Sequence, residues 1–246
     1  MRSGKPFIGV TAEVDPHSQD ASVLVYCRGA PLVEAVSRAG GLPVLLPHHV
    51  DEVPSLLDRL DGFVIGGGAH QFQDPKRLFG DEPSTSGPPH KRRRTSFEMA
   101  IIAGSLERDI PVLGICGGFQ TMNAVLGGKL TVNLAQENAA WSAHTTEHLN
   151  AAHEVKPLGG LIDRLAAGKP FAVNSLHKQG IRPDGAAGVV TAVSPDGLVE
   201  AIEVPDKSYF VGVQWHPEHP VSALDDELFL AFVRAAKGRS GSHLPV

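Results

Sequence analysis

The chain has 246 residues, 42% of them hydrophobic and 20% charged, with 22 basic against 27 acidic side chains and a net charge of -5. That composition is ordinary for a globular protein and excludes disordered and collagen-like chains. The acidic balance argues against a nucleic-acid binder working by bulk electrostatics, and no apolar run approaches the roughly 20 residues of a membrane helix. Two cysteines cannot make a disulfide framework. With no apolar signal core after Met1, the expected location is the reducing cytoplasm.

In chain order, Phe7-Ile8-Gly9-Val10 reads as a first strand. Leu32, Val33, Val36 and Ala39 recur at helical spacing, and Gly40-Gly41 stops that helix. Leu42 to Leu46, Phe63 to Ile65 and Pro111 to Ile115 are further strands, continuously apolar as parallel strands covered on both faces are. Before the last of these, Thr95 and Glu98 have capping-box spacing, with Phe97, Ile101, Ile102 and Leu106 as the buried stripe. In the last third, Phe171–Asn174, Val189–Val193, Val199–Val204 and Phe210–Val213 are closely spaced strands suited to hairpins. A final helix starts at Ser222 and Asp225, carries Leu224, Leu228, Phe232 and Val233, and has Gly238 as a stop.

The expected fold is therefore α/β: a doubly wound, mostly parallel sheet flanked by helices, with antiparallel additions in the C-terminal third. No internal repeat or boundary divides the chain, so residues 1–246 are expected to form one domain. The stretch from His70 to His90 is rich in Pro, Gly and Ser, and a loop of that length is more often functional than neutral.

Gly114-Ile115-Cys116-Gly117-Gly118 stands between a strand and a helix stripe of Phe119, Met122 and Leu126. It is the thiol form of a nucleophile elbow, which holds its central residue strained at a helix N-terminus that favours thiolate. The Gly117 N–H is then placed for an oxyanion. A buried cysteine in a glycine-rich turn is the bland alternative. A thiolate needs a base and the base an orienting partner. His216-Pro217-Glu218 ends the Phe210–Val213 strand, and residues two apart on an extended segment share a face. Gly66-Gly67-Gly68, ending another strand, either presents a backbone N–H to a ligand or makes a tight turn.

His144-Thr145-Thr146-Glu147-His148 matches the H-x-x-E-H zinc motif, but its flanks carry no strong buried stripe and no third ligand is indicated. A solvated polar segment at a pocket mouth is the expected reading. Lys91 to Arg94 is expected to be a solvated turn or a carboxylate-binding contribution, and Cys27 a free structural thiol.

Three segments taken together, Gly114–Gln120, Val173–Gln179 and Gly212–Glu218, resemble class I glutamine amidotransferases. The likeness is greatest to the stand-alone hydrolase branch, the peptidase C26 or γ-glutamyl-γ-aminobutyrate hydrolase family. It extends through Ala39–Pro47 and Asp196–Ile202, nearly the whole chain. The resemblance implies a flavodoxin-like class I glutamine amidotransferase fold. It implies Cys116 as nucleophile, His216 as general base and acid, and Glu218 as its orienter. Gly68 and Gly117 match oxyanion donors, with Gly67 the neighbouring alternative. Gly67, Gln120, Asn174, Ser175 and His177 match positions lining the γ-glutamyl pocket. The implied activity is cysteine-dependent cleavage of γ-glutamyl amides through a thioester, with no metal or organic cofactor. The expected partner is a small γ-glutamyl substrate, without nucleic acid or membrane, and homodimerisation is left open. Two other roles stay open: a glutaminase subunit delivering ammonia to a separate synthase, and a regulatory module with a residual elbow. Gly117, Lys178 and His70 depart from the hydrolase pattern, which usually has arginine, histidine and aspartate there.

Overall fold

The computed structural model describes residues 4–20, 22–69, 72–73, 89–131, 133–144 and 149–240. His70, most of the loop that follows it, and Thr145 to His148 lie outside the described residues. Eleven strands and seven α-helices follow one another as β1 (Phe7–Thr11), β2 (Glu13–Pro16), β3 (Leu24–Cys27), α1 (Ala30–Arg38), β4 (Leu42–Leu46), α2 (Val53–Arg59), β5 (Gly62–Ile65), α3 (Pro89–Arg108), β6 (Val112–Ile115), α4 (Gly117–Val125) and α5 (Leu134–Glu137) among the described residues. Then come β7 (His153–Pro157), α6 (Gly160–Leu165), β8 (Phe171–Val173), β9 (Val189–Val193), β10 (Val199–Glu203), β11 (Phe210–Val213) and α7 (Ala223–Ser240).

Nine strands form one sheet in the order β4-β1-β5-β6-β11-β10-β9-β7-β8. β4, β1, β5, β6 and β11 pair in parallel. From β11 through β10, β9 and β7 to β8 the pairing turns antiparallel. The parallel half is apolar on both faces because helices cover both. Side chains alternate along each strand. Val64, Leu113 and Val213 pack under α1, α6 and α7, whereas Phe63, Ile65, Val112 and Phe210 pack under α2, α3 and α4. This is the doubly wound sheet with antiparallel additions that the apolar runs predict.

Local differences have local causes. The β2–β3 hairpin has only four residues per strand and half-exposed side chains, so it left no apolar run to read. Likewise, β7 reads HEVKP and buries only Val155 and Pro157. The capping box at Thr95 is not a helix start: α3 begins at Pro89. Thr95 lies within the helix and returns its hydroxyl to the Lys91 carbonyl at 2.9 Å. At the other helix the device is present. Asp225 Oδ2 accepts the Ser222 N–H at 2.9 Å, but α7 runs through Gly238 to Ser240.

Candidate active site

Parallel β6 ends at Ile115, and the chain turns at once into α4. Cys116, between them, has φ 50° and ψ -105°, outside the regions open to ordinary side chains. Such strain costs about 1–3 kcal/mol. It persists because Ile115, Phe119 and Met122 on either side are fully buried, each contributing about 1.5–3 kcal/mol. The turn also needs a bare backbone. A Cβ on Gly118 would overlap the Ile65 carbonyl oxygen, so only glycine lets α4 pack this close to β5.

β11 lies beside β6 and delivers the second half of the site. Its register pairs Val213 with Ile115, and the Cys116 N–H donates to the Val213 carbonyl at 2.9 Å. Three residues further, His216 hydrogen-bonds the Cys116 sulfur. His216 Nδ1 donates to Glu218 Oε1 at 2.9 Å, which turns Nε2 toward the thiol. Burial opposes the imidazolium. The thiolate charge of Cys116, its hydrogen bond and the Glu218 carboxylate outweigh that burial and raise the His216 pKa to about 10. His216 is therefore held as an imidazolium beside the Cys116 sulfur across the neutral range.

Asn174, just past β8, fastens this turn. Its Nδ2 donates to the His216 carbonyl at 2.8 Å and the His219 carbonyl at 3.0 Å, while Oδ1 accepts the His216 N–H at 2.8 Å. Trp215, wholly buried, donates from Nε1 to Asp225 Oδ1 at 2.9 Å and ties the turn to the start of α7. Gln120 Nε2 donates to the Gln179 carbonyl at 2.8 Å and Gln214 Oε1 at 3.0 Å. Ser175 Oγ donates to the His144 carbonyl at 2.9 Å. His177 donates from Nδ1 to the Gln179 carbonyl at 2.9 Å, and its Nε2 faces His144. These four polar side chains are engaged with protein atoms around the site.

The third wall is the glycine loop after β5. A Cβ on Gly67 would fall 2.7 Å from His216 Cε1 and 3.4 Å from Cys116 Cβ, and one on Gly117 would overlap the Gly68 carbonyl. The loop therefore touches both halves of the pair. Gly68 has φ +133°, a conformation that glycine adopts without penalty.

Sequence reasoning missed what holds that loop. Arg94 Nη2 donates to the Gly66 and Gly67 carbonyls, both at 2.9 Å, and Arg28 Nη1 to Gly67 at 2.8 Å. Because these peptide bonds are trans, the Gly67 and Gly68 N–H groups face away from the arginines. Arg94 also pairs with Glu13, and through Nε with Glu98 Oε1 at 2.8 Å. Glu98 accepts the Thr11 hydroxyl at 2.8 Å, and Thr11 Oγ1 accepts the Gly66 N–H at 3.2 Å. The run Lys91 to Arg94 is thus about one turn of helix rather than a solvated turn, and Arg94 is buried. Paired acids at 13 and 98, far apart in sequence, were the signal, visible only once β2 lies against α3. His144 is buried too, so the solvated reading of its motif fails at that residue. Cys27 is a free, half-buried thiol 3.6 Å from Asp15 Oδ2.

The peptidase C26 family model matches residues 6–218. This chain belongs to the peptidase C26 family. The chain is 36% identical over 222 residues to the γ-glutamyl-γ-aminobutyrate hydrolase PuuD of Escherichia coli K12, covering 83% of this chain and 84% of that protein. It is also 36% identical over 210 residues to the protein NtpR of Enterococcus hirae, covering 82% and 86%. Among solved structures, the glutaminase domain of Trypanosoma brucei CTPS with bound acivicin superposes with a TM-score of 0.62 at 16% identity, over 95% and 94% of the two chains. That likeness shows the class I glutamine amidotransferase fold. As a C26 member the chain is an enzyme of the γ-glutamyl hydrolase or glutamine amidotransferase kind. Among the described residues, no helix is long and apolar enough to cross a membrane.

Proposed function

We propose that the chain is a cysteine hydrolase that cleaves γ-glutamyl amides, γ-glutamyl-γ-aminobutyrate or a related γ-glutamyl amine, to glutamate and the free amine. The observation that carries this reading is the contact of Cys116 with a His216 whose far nitrogen is held by Glu218. The Cys116 thiolate attacks the γ-carbonyl carbon, and the carbonyl oxygen takes the negative charge. N–H groups of Gly68 and Gly117, with Gly67 alongside, stabilise that oxyanion. As the C–N bond breaks, His216 Nε2 gives its proton to the departing amine and a γ-glutamyl thioester remains. His216, now neutral, removes a proton from water, whose oxygen attacks the thioester and releases glutamate and the thiolate.

The γ-glutamyl specificity draws on the relationship to PuuD, and the choice of amine belongs to this chain. At position 117 the Gly68 carbonyl occupies the space a Cβ would take, and Lys178 is exposed. Gly117 and Lys178 depart from the arginine and histidine of the hydrolase pattern, at positions that read either the leaving amine or the glutamyl carboxylate. The test is a screen of γ-glutamyl amides, including γ-aminobutyrate and polyamine conjugates, for released glutamate, with glutamine as comparison. Hydrolysis of at least one conjugate faster than glutamine, abolished in Cys116→Ala, is expected. Glutamine as the best substrate, hydrolysed only alongside a second protein, would contradict the hydrolase reading in favour of a glutaminase subunit.

A further inference from the structure

A second polar cluster lies within electrostatic reach of Cys116 and His216 and takes no part in the steps above. It joins four segments: His144 at the end of the 3-10 turn Ala139–His144, His153 on β7, His177 after β8 and Glu200 on β10. His144, His177 and Glu200 are all buried. Each histidine has its outer nitrogen committed to an acceptor. His144 Nε2 donates to Asp196 Oδ2 at 2.9 Å, His177 Nδ1 to the Gln179 carbonyl at 2.9 Å, and His153 Nδ1 to the Glu154 carbonyl at 3.1 Å. Carbonyl and carboxylate oxygens only accept, so the protons of the neutral rings belong to these outer nitrogens.

The inner nitrogens then carry lone pairs, and they converge. His144 Nδ1 is 3.2 Å from His177 Nε2 and 3.4 Å from Glu200 Oε1, which in turn is 3.7 Å from His153 Nε2. Ser175 Oγ is 3.5 Å from His144 Nδ1, but its better-placed acceptor is the His144 carbonyl at 2.9 Å. Glu200 Oε1 and His153 Nε2 are buried without a hydrogen-bond partner among the described residues. Acceptors gathered this closely out of water repel one another unless a positive charge stands among them.

We propose that His144 Nδ1, His177 Nε2 and Glu200 Oε1 form a binding site for one borderline divalent cation of the Zn2+ class. Zinc takes nitrogen and oxygen donors at about 2.0–2.2 Å, so a tetrahedral site separates its donors by about 3.3–3.6 Å. The two measured edges are 3.2 and 3.4 Å, and the three donor atoms lie within 4.8 Å of one another. Asp196 and the Gln179 carbonyl supply the outer contacts that fix which ring nitrogen faces a metal. His153, beside the carboxylate, is a further nitrogen donor. Two imidazoles and one carboxylate suit zinc better than calcium or magnesium, which prefer shells of oxygen. The H-x-x-E-H spacing thus singled out His144; among the described residues its partners are His177 and, from β10, Glu200, 56 residues on in sequence.

This inference rests on donor geometry and is independent of the γ-glutamyl reading. The full-length protein is stripped with a chelator, given Zn2+ or Co2+, passed through gel filtration and assayed for bound metal. One equivalent is expected, and Co2+ should show the intense visible bands of a four-coordinate nitrogen and oxygen site. Cys116→Ala should retain both, while His144→Ala and Glu200→Gln should weaken binding at least tenfold. Should either variant fail to fold, the stoichiometry and the Co2+ spectrum of wild type and Cys116→Ala decide alone. Three results would overturn the proposal. They are a protein that binds no equivalent of either ion, a thiolate-to-cobalt band lost with Cys116, and undiminished binding in folded His144→Ala. In the first case a proton, not a metal, holds the cluster together.

Discussion

At the scale of single residues, the site turns on the proton shared by His216 and its neighbours. The His216 pKa, near 6.5 in an unfolded chain, stands at about 10 in the fold because thiolate and carboxylate outweigh burial. The stability this contributes is fully present below about pH 6.5 and is lost as pH rises through about 10. The same ionisation sets the alkaline limb of kcat/KM, where the acid for the leaving amine disappears. In Glu218→Gln the carboxylate charge is gone, so that limb should move to lower pH and kcat/KM should fall about 10²–10⁴-fold. A pH-rate profile checks both, and an unmoved alkaline limb would show that Glu218 does not steer the imidazole. Cys116, His216 and Glu218 were legible as residues, since an elbow and a His-Pro-Glu strand end are local patterns. Asn174 was legible only as a pocket position. Its three bonds to the 216–219 turn make it the clamp of the base, a role that depends on β8 and the end of β11 meeting.

Elements carry the next layer. The apolar runs of β1, β4, β5 and β6 announced themselves because burial on both faces leaves no polar alternation. Helix starts were harder to read. Ser222 and Asp225 cap α7 as their spacing suggests, whereas Thr95 and Glu98, with the same spacing, lie inside α3. The difference is tertiary: Glu98 is engaged by Thr11 and Arg94 from other parts of the fold and of its own helix. That network makes a sharp prediction. Arg94→Met removes the cation from between Glu13 and Glu98 and leaves the Gly66 carbonyl without that donor. An uncompensated buried charge costs about 3–5 kcal/mol, so thermal unfolding should shift strongly downward. Adding Glu98→Gln removes one of the orphaned charges and should recover part of the loss. If the single variant melts with wild type, the glycine loop is held by something else.

For the whole molecule, the active site exists only where the two halves of the sheet join. β6 supplies the nucleophile, antiparallel β10 lies on the far side of the strand that supplies the base, and the loop after β5 closes over both. No short stretch of sequence holds all three, which is why the order of motifs along the chain was informative and their distances were not. The same assembly brings His144, His177 and Glu200 together from segments that look unrelated in one dimension. The account as a whole stands on a covalent γ-glutamyl enzyme. The most direct test mixes the protein with an excess of its best γ-glutamyl amide, quenches in acid within a turnover and weighs the intact chain. A mass gain of one γ-glutamyl group, mapped to the peptide carrying Cys116 and absent in Cys116→Ala, is the predicted result. Turnover that proceeds with no such adduct, and at an undiminished rate in Cys116→Ala, would contradict it.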